Sequence, residues 1–305
     1  MRYRHSALVG VLVLAGLVTA VPGQAATPPL SDPRVVAHFD INAAQQPENI
    51  TLEPNGAADV TFNGARQVAR VGRNGSVTIL ATLPAPAGGS AGATGIVRAY
   101  DGTLFVNENA GIHSAIWRIG RHGNAAPIVA LPQVKFLNGL ALDRDTLYAT
   151  DSTSGTVWRV DLRTDRAVIW AQGGPLLPTA AVGFGSNGIK VHDGAVWVSN
   201  TAQGTLLRIP IGRHGTAGPI STVAQGLGPI DDFTFTGRGD TVLAAINGMS
   251  EVSIVRPYGG HHTVLTAADG LSNPTSIAVR GSTVYVASAA YFTRVNPNLL
   301  LAELD

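Results

Sequence analysis

The chain has no cysteine among its 305 residues, which excludes disulfide bonds, thiolate nucleophiles and cysteine-ligated zinc. Charged residues are scarce at 13%, and aromatic residues make up only 6%. Apolar residues nevertheless account for 45%, too many for a disordered chain. The 36 glycines and 18 prolines indicate many turns. The composition therefore predicts a turn-rich globular protein, and the length is compatible with one closed all-β domain.

The first 25 residues have the pattern of a secretory signal peptide. Arg2 and Arg4 precede an apolar run at 7–18, and small residues permit cleavage after Ala25. The run is short for a membrane span, and an uncleaved anchor is the alternative. No other apolar run approaches the roughly 18 residues that a span requires. We therefore expect a secreted protein in which residues 26–305 form one domain.

The charges of the chain are nearly balanced. There are 21 basic and 20 acidic side chains, and the predicted signal segment removes two of the arginines. A protein without an excess of positive charge has no electrostatic reason to bind nucleic acid or an anionic membrane surface. We expect neither as a partner.

A short pattern recurs six times along the chain. Successive copies are 46, 44, 49, 44 and 44 residues apart, and they begin at Glu48, Thr94, Asn138, Asn187, Asp231 and Thr275. Each copy contains four short runs of alternating apolar and polar residues, separated by turn residues. A four-stranded meander repeated six times predicts an all-β fold, a six-bladed β-propeller of antiparallel blades.

Closure of such a ring requires a strand from one end of the chain. The segment 35–39 lies where a fourth strand occurs in other repeats, so we expect the N-terminal strand to complete the last blade. The first three strands of that blade are predicted at 276–279, 283–287 and 292–295. The C-terminal run 299–304 is the competing candidate for the closing strand.

The six residues that begin the repeats all carry side-chain oxygens and should converge at one mouth of the central channel. Two neighbouring carboxylates there would repel each other unless a cation were bound. Calcium prefers such oxygen donors, whereas zinc is less suited because the set has no histidine or cysteine. We predict that Glu48, Asn187 and Asp231 bind a divalent metal, with Ca²⁺ the best match. Turn residues at strand entrances are the alternative, and we favour it for Thr94 and Thr275.

These residues resemble the ligands of a known family, the regucalcin, gluconolactonase and luciferin-regenerating-enzyme group of six-bladed propellers. Glu48, Asn187 and Asp231 resemble its glutamate, asparagine and aspartate metal ligands. Asn138 matches an asparagine that faces the substrate and metal-bound water. The resemblance implies hydrolysis of a small-molecule lactone or ester by metal-activated water. Under this mechanism we assign the general base to Asp231, or alternatively to Asp232, and a catalytic contact to Asn138.

Two departures from the family bear on the substrate. Phe136 stands where the sugar-lactone enzymes have arginine, and Asp231-Asp232 replaces their Asp-Gly. A less polar lactone or ester is easier to reconcile with Phe136 and with the apolar segment Pro175–Pro178. We therefore expect Phe136 and Asn138 to contact the substrate.

Loops between second and third strands should reach the same mouth. They offer Glu108, Asp151 and His113 as further substrate-binding candidates, although solvated loop residues are the simpler interpretation. Further polar candidates in these loops are Asn63, Asn107, Asn200 and Asn247. The alternative function is a non-catalytic secreted propeller that binds a ligand or protein with a structural calcium ion. With either function we expect a monomer. A related propeller with lyase chemistry is a third interpretation.

Overall fold

The computed structural model describes residues 29–86 and 91–305, which contain 24 β-strands, five short 3-10 turns and no α-helix. The predicted signal segment lies outside the described residues. The strands form six antiparallel sheets of four strands each, and each sheet is one blade of a propeller. The predicted fold class is thus confirmed.

The N-terminal strand, β1 (Leu30–His38), precedes the first complete blade. Blade one consists of β2 (Pro47–Leu52), β3 (Ala58–Phe62), β4 (Gln67–Val71) and β5 (Val77–Thr82). Blade two consists of β6 (Gly92–Arg98), β7 (Leu104–Asn109), β8 (Ala115–Ile119) and β9 (Ala125–Ala130). Blade three consists of β10 (Leu137–Asp143), β11 (Thr146–Asp151), β12 (Thr156–Asp161) and β13 (Arg166–Gln172).

Blade four consists of β14 (Ser186–His192), β15 (Ala195–Asn200), β16 (Thr205–Pro210) and β17 (Ser221–Ala224). Blade five consists of β18 (Ile230–Phe235), β19 (Val242–Ile246), β20 (Glu251–Val255) and β21 (His261–Leu265). Blade six consists of β22 (Pro274–Arg280), β23 (Thr283–Ser288), β24 (Asn298–Leu304) and the N-terminal β1. The 3-10 turns are Gly111–His113, Gly174–Leu176, Arg213–Gly215, Asn247–Met249 and Ala267–Asp269.

The ring is closed by β1, which pairs antiparallel with β24 as the outermost strand of blade six. Leu30 lies opposite Leu304, and His38 lies opposite Asn298. The two ends of the chain are therefore joined by backbone hydrogen bonds. This confirms the expected closure by the N-terminal strand.

The predicted third strand of blade six, at 292–295, is wrong. Those residues form a turn, with Arg294 in the left-handed backbone region at φ 57° and the Phe292 side chain exposed. The third strand is instead β24, the C-terminal run that had been the competing closing strand. Leu299 and Leu300 are buried on opposite faces of β24. A strand inside a blade must bury both faces, and only the C-terminal run can do so.

The core lies between the blades. Six clusters of buried apolar side chains occur in the described residues, each made by facing sides of two neighbouring blades. One cluster joins the last blade to the first, where Tyr285 also donates a hydrogen bond of 3.0 Å to the Gly56 carbonyl. Each blade thus depends on both neighbours, and the ring holds the innermost strands around the channel.

The turns between third and fourth strands also pack closely against the neighbouring blade. The Gly-Arg-x-Gly sequence ending at Gly75 places that glycine at φ 80°. A Cβ atom there would lie 2.0 Å from the Val36 carbonyl oxygen of the neighbouring blade. Only glycine permits both this backbone conformation and this close approach.

Candidate active site

The repeat-start residues lie at a β-bulge in every blade. In each blade, the pairing between the innermost strand and the second strand shifts register near the start of the innermost strand. A bulge of this kind changes the direction of a side chain and ends regular pairing. All six repeat-start side chains are buried at these irregular steps, which are at Glu48, Thr94, Asn138, Asn187, Asp231 and Thr275. The six residues that begin the sequence repeats thus form a ring around the channel.

Four members of this ring line a cavity of about 570 Å³ at the upper mouth of the channel, the end where the repeats begin. They are Glu48, Asn138, Asn187 and Asp231. The two threonines do not line it. The Thr94 hydroxyl donates to the Leu137 carbonyl and the Thr275 hydroxyl to the Pro47 carbonyl, both at 2.9 Å and both in the next blade. These contacts support the structural interpretation of the threonines.

Glu48 is buried at the first blade. Its Oε2 accepts a hydrogen bond from the Tyr291 hydroxyl, which also accepts one from Asn63 Nδ2 at 3.4 Å. Burial raises the pKa of Glu48 to about 7, and the charge of Asp232 adds to the rise, while the Tyr291 hydrogen bond opposes it. The carboxylate is therefore costly to ionise in the protein alone.

Asp231 lies in the same cavity on blade five. Its Oδ2 accepts a hydrogen bond of 2.9 Å from Asn247 Nδ2. Burial raises the pKa of Asp231 well above its usual range, and the negative charges of Glu48 and Asp232 raise it further. Both carboxylates line the same cavity, on blades one and five. No described cation pairs with either of them.

Asp232 lies outside the cavity lining, although it follows Asp231 directly. Both of its oxygens accept hydrogen bonds from Lys190 Nζ at 2.7 Å. A Cβ atom on Gly188 would lie 2.2 Å from Asp232 Oδ1, so the glycine after Asn187 leaves room for this carboxylate. Burial still raises the pKa of Asp232, against the effect of Lys190. This placement favours Asp231 over Asp232 as the group that reaches a substrate.

The predicted metal ligands are surrounded by neutral hydrogen-bonding groups. Tyr291 occupies only one carboxylate oxygen of Glu48, and Asn247 only one of Asp231. Asn187 donates its amide to Thr201 Oγ1 at 2.9 Å, which leaves its carbonyl oxygen. Within the described residues, Glu48 Oε1 and the Asn187 carbonyl oxygen accept no hydrogen bond, whereas the Asn187 amide also acts on Asp231 and lowers its pKa. Two buried carboxylates without a cationic partner, together with an amide oxygen, fit a hard divalent cation.

The Asn138 side chain lies on the same cavity and makes no hydrogen bond within the described residues. Its position is held by the backbone, because Asn107 Nδ2 donates to the Asn138 carbonyl at 3.0 Å. An amide held in this way can bind a polar group of a ligand.

Another part of the cavity lining is apolar. Phe136 lines it, as expected, and packs edge-on against Phe184 with ring centroids 5.1 Å apart. The expected contribution of Pro175–Pro178 is replaced by Val182 and Phe184 from the same loop. Leu176 is instead fully buried in the core. The cavity thus joins a polar, acidic side to an aromatic wall.

Three further predicted residues are not brought to the cavity. Glu108 accepts a hydrogen bond of 2.6 Å from Trp117 Nε1 in its own blade. Asp151 accepts the backbone N–H groups of Lys135 and Phe136, both at 3.0 Å, and so fixes the segment before Asn138. His113 lies in an exposed 3-10 turn. Their predicted contact with substrate receives no support from the cavity lining.

Of the polar loop candidates, Asn63 and Asn247 do line the cavity. Asn200 instead binds the carbonyls of Pro175 and Leu177 and holds that loop. Tyr291 was missed by sequence reasoning. It lies beyond the second strand of blade six, in the segment mistaken for the approach to a third strand, and no other repeat has an equivalent.

A second group of ligand-type side chains lies at the opposite end of the channel. His192, Asp193 and Asp240 bring donor atoms within 4.8 Å of one another, and His192 Nε2 is 3.2 Å from Asp240 Oδ1. His192 also stacks on Phe235 at 3.8 Å. These residues are partly or fully exposed, unlike the buried set around Glu48.

Fold and cavity together define a six-bladed propeller with an acidic site in its channel. A family model described as a repeat of unknown function (DUF6923) matches residues 51–231, and the chain belongs to this family. No curated protein matches the chain. Within the described residues, no helix is both long and apolar enough to cross a membrane.

Solved structures of similar fold cover most of the chain. A gluconolactonase from Xanthomonas campestris gives a TM-score of 0.67 at 17% identity, over 94% of this chain and 99% of that chain. A luciferin-regenerating enzyme gives 0.66 at 11% identity, over 89% and 95%. Virginiamycin B lyase from Staphylococcus aureus, with quinupristin, gives 0.60 at 16% identity, over 90% and 100%. The chain therefore shares the propeller fold of the regucalcin-like group.

Proposed function

We propose that the protein is a divalent-metal-dependent hydrolase that opens a lactone or ester in the upper cavity. One observation carries the proposal: Glu48 and Asp231 are buried in one cavity with raised pKa values, and their hydrogen-bond partners among the described residues are neutral groups rather than cations. Uncompensated buried carboxylates cost several kcal/mol, so a fold that retains them needs a cation or a proton at that position.

The side-chain oxygens of Glu48, Asn187 and Asp231 would hold the metal, and their chemistry favours Ca²⁺. When bound, such an ion polarises an ester carbonyl and activates water. Asn247 fixes Oδ2 of Asp231, and the raised pKa of this carboxyl favours its accepting a proton from the attacking water. The unpaired Asn138 amide would bind the developing oxyanion or the ring oxygen of the substrate.

The comparison with the gluconolactonase supports this proposal by its coverage of both chains, and the ligand types at Glu48, Asn187 and Asp231 support it independently. We extend the proposal to export by the segment 1–25, to a single domain over residues 26–305 and to action as a monomer.

The test uses the protein without its first 25 residues and a panel of simple lactones and aryl esters. We expect turnover that stops when a chelator removes the metal and returns when calcium is added. Asp231→Ala should lose metal binding and turnover together. Thr94→Val is the matched control, because Thr94 belongs to the same ring but does not line the cavity.

Turnover that survives the chelator, or that is unchanged in Asp231→Ala, would contradict the proposal. Stoichiometric metal binding without turnover on the whole panel would favour the alternative, a non-catalytic binding propeller with a structural ion.

A further inference from the structure

The two sides of the upper cavity differ in what they offer a ligand. The acidic side carries the carboxylates of Glu48 and Asp231, whereas the apolar wall consists of Phe136, Phe184 and Val182, which come from the approaches to blades three and four. A polyhydroxylated ligand needs hydrogen-bond partners along its length, since each buried polar group without one is costly. The wall has no side-chain donor or acceptor. Only a ligand that is polar at one end and apolar at the other satisfies both sides.

The apolar surface continues from the cavity to the rim of the upper mouth. Phe184 and Val182 are 43% and 39% exposed, and Phe292, which lines the cavity from blade six, is 71% exposed. Met249 is also exposed, and it follows the cavity residue Gly248 directly. Large exposed apolar side chains are unfavourable unless something covers them, and these lie together at one opening.

The loop that supplies much of this wall has no charge. Residues 173–185, between β13 and β14, contain no acidic or basic side chain. Asn200 and Gln203 bind its backbone carbonyls at 2.8–3.0 Å, so Phe184 belongs to a held loop rather than a free one. A held, uncharged loop that shows its phenyl ring to a cavity is suited to pack against hydrocarbon.

We propose that the substrate is an amphiphile, a lactone or ester whose unbranched hydrocarbon tail lies along Phe136 and Phe184 and leaves the cavity past Phe292. This inference rests on the proposed hydrolase function and specifies its substrate class. The occupant of the apolar rim is the tail of the substrate, and the acidic side receives the reacting group. Phe136, Phe184 and Phe292 are then specificity-determining residues.

The test is a series of aryl esters with saturated acyl chains from acetyl to decanoyl, kept below the concentration at which they form micelles, with calcium present. Burial of one methylene is worth about 0.8 kcal/mol, so kcat/KM should rise about fourfold per methylene until the wall is covered. Phe184→Ser and Phe292→Ser should flatten this slope and cost the decanoyl ester at least about tenfold more than the acetyl ester. Both side chains are substantially exposed, so their loss should leave the fold intact.

Tyr100→Ser and Tyr258→Ser are the matched controls. Both rings are almost fully exposed, in turns away from the upper mouth, and neither lines the cavity. These variants should keep the wild-type slope. A flat chain-length profile in the wild type, or a slope unchanged by Phe184→Ser and Phe292→Ser, would overturn the inference.

Two further measurements separate this inference from other outcomes. If no ester is hydrolysed, the hydrolase proposal fails, and calorimetry with non-hydrolysable alkyl amides then tests the tail site alone. An affinity that rises with alkyl chain length, and that no longer rises in Phe184→Ser, would still support the tail site. Binding of the protein to phosphatidylcholine vesicles without substrate, lost in the same variants while the ester slope is unchanged, would assign the rim to membrane docking and contradict the inference.

Discussion

Asp231 and Asp232 are consecutive residues of β18, and both carboxylates are buried, yet their surroundings differ. Asp232 accepts two hydrogen bonds from Lys190 and lies outside the cavity. Asp231 lines the same cavity as Glu48, whose charge raises its pKa, and its side-chain partners are the neutral amides of Asn247 and Asn187. Lys190 is the cationic partner of Asp232, whereas no described residue is a cationic partner of Asp231. We infer that Asp232 holds blades four and five together, whereas Asp231 is kept for a bound ligand.

The largest effect should be the change with pH in the free energy of unfolding of the metal-free protein. In the folded state the pKa of Glu48 is about 7, above the 4.5 of the unfolded chain, so between these values the folded state binds more protons. The free energy of unfolding of the metal-free protein must therefore fall as pH rises, and Glu48 alone accounts for a fall of about 3 kcal/mol. The raised pKa of Asp231 adds to this fall. Chemical denaturation from pH 4.5 to 8 with a chelator present measures it.

Glu48→Gln is the control for the pH experiment, because it removes the titrating group and should reduce the slope. Calcium should reduce it as well, since the ion replaces the protons. Stability that rises steadily with pH in the metal-free protein would show that these carboxylates do not carry the cost assigned to them.

Asp232→Asn should destabilise the protein by roughly 3 kcal/mol, because it leaves the Lys190 ammonium without its partner in a largely buried place. Asp231→Asn should destabilise the metal-free protein much less, or even stabilise it, since a repulsive charge disappears. Urea denaturation of both variants with a chelator gives the comparison. Equal losses in the two variants would remove the distinction between the neighbouring aspartates.

Asp231→Asn should abolish the increase in stability that calcium gives the wild type. A ligand that binds only the folded state adds about 2.7 kcal/mol when its concentration is about a hundredfold above Kd. Melting curves across a calcium titration measure this increase. The Asp232→Asn variant should retain much of it. A full calcium response in Asp231→Asn would place the ion elsewhere, and the exposed cluster around His192 would then be the site to test.

The smallest effect should come from Thr94→Val. The variant loses the hydrogen bond that Thr94 donates to the Leu137 carbonyl and a long one of 3.4 Å that it accepts from Asn109 Nδ2. The Leu137 carbonyl still accepts a hydrogen bond of 2.6 Å from Asn109 Nδ2. We expect a loss of about 1 kcal/mol in the free energy of unfolding. The calcium response should be unchanged. A reduced calcium response would show that the threonine also contributes to the ion site.

Much of the fold could be predicted because the six repeats have a nearly constant period and alternate apolar and polar residues. The same register placed Glu48, Asn138, Asn187 and Asp231 on one ring. Blade six was predicted less well, since 292–295 has strand-forming side chains while its backbone turns at Arg294. Burial on both faces, which identifies β24, is a property of the assembled ring and not of the local sequence.

The details of the site depend on contacts between distant residues. Lys190 in blade four and Asp232 in blade five are 42 residues apart and form their ion pair between neighbouring blades. The sequence alone therefore cannot show that Asp232 is paired and Asp231 is not. Tyr291 reaches Glu48 of the neighbouring first blade from the loop between β23 and β24, which is longer than the corresponding loops of the other blades. Leu176 is buried in the core while Val182 and Phe184 of the same loop line the cavity, and packing against other blades decides which apolar residue goes where.

Metal content and calcium-dependent melting temperature, compared between the wild type and Glu48→Gln, test most directly whether the buried carboxylates of the upper mouth hold a cation. We predict one ion per chain and a higher melting temperature with calcium in the wild type, with both lost in Glu48→Gln. No bound ion and no shift in the wild type, or an equal shift in both proteins, would contradict a cation site at Glu48 and Asp231.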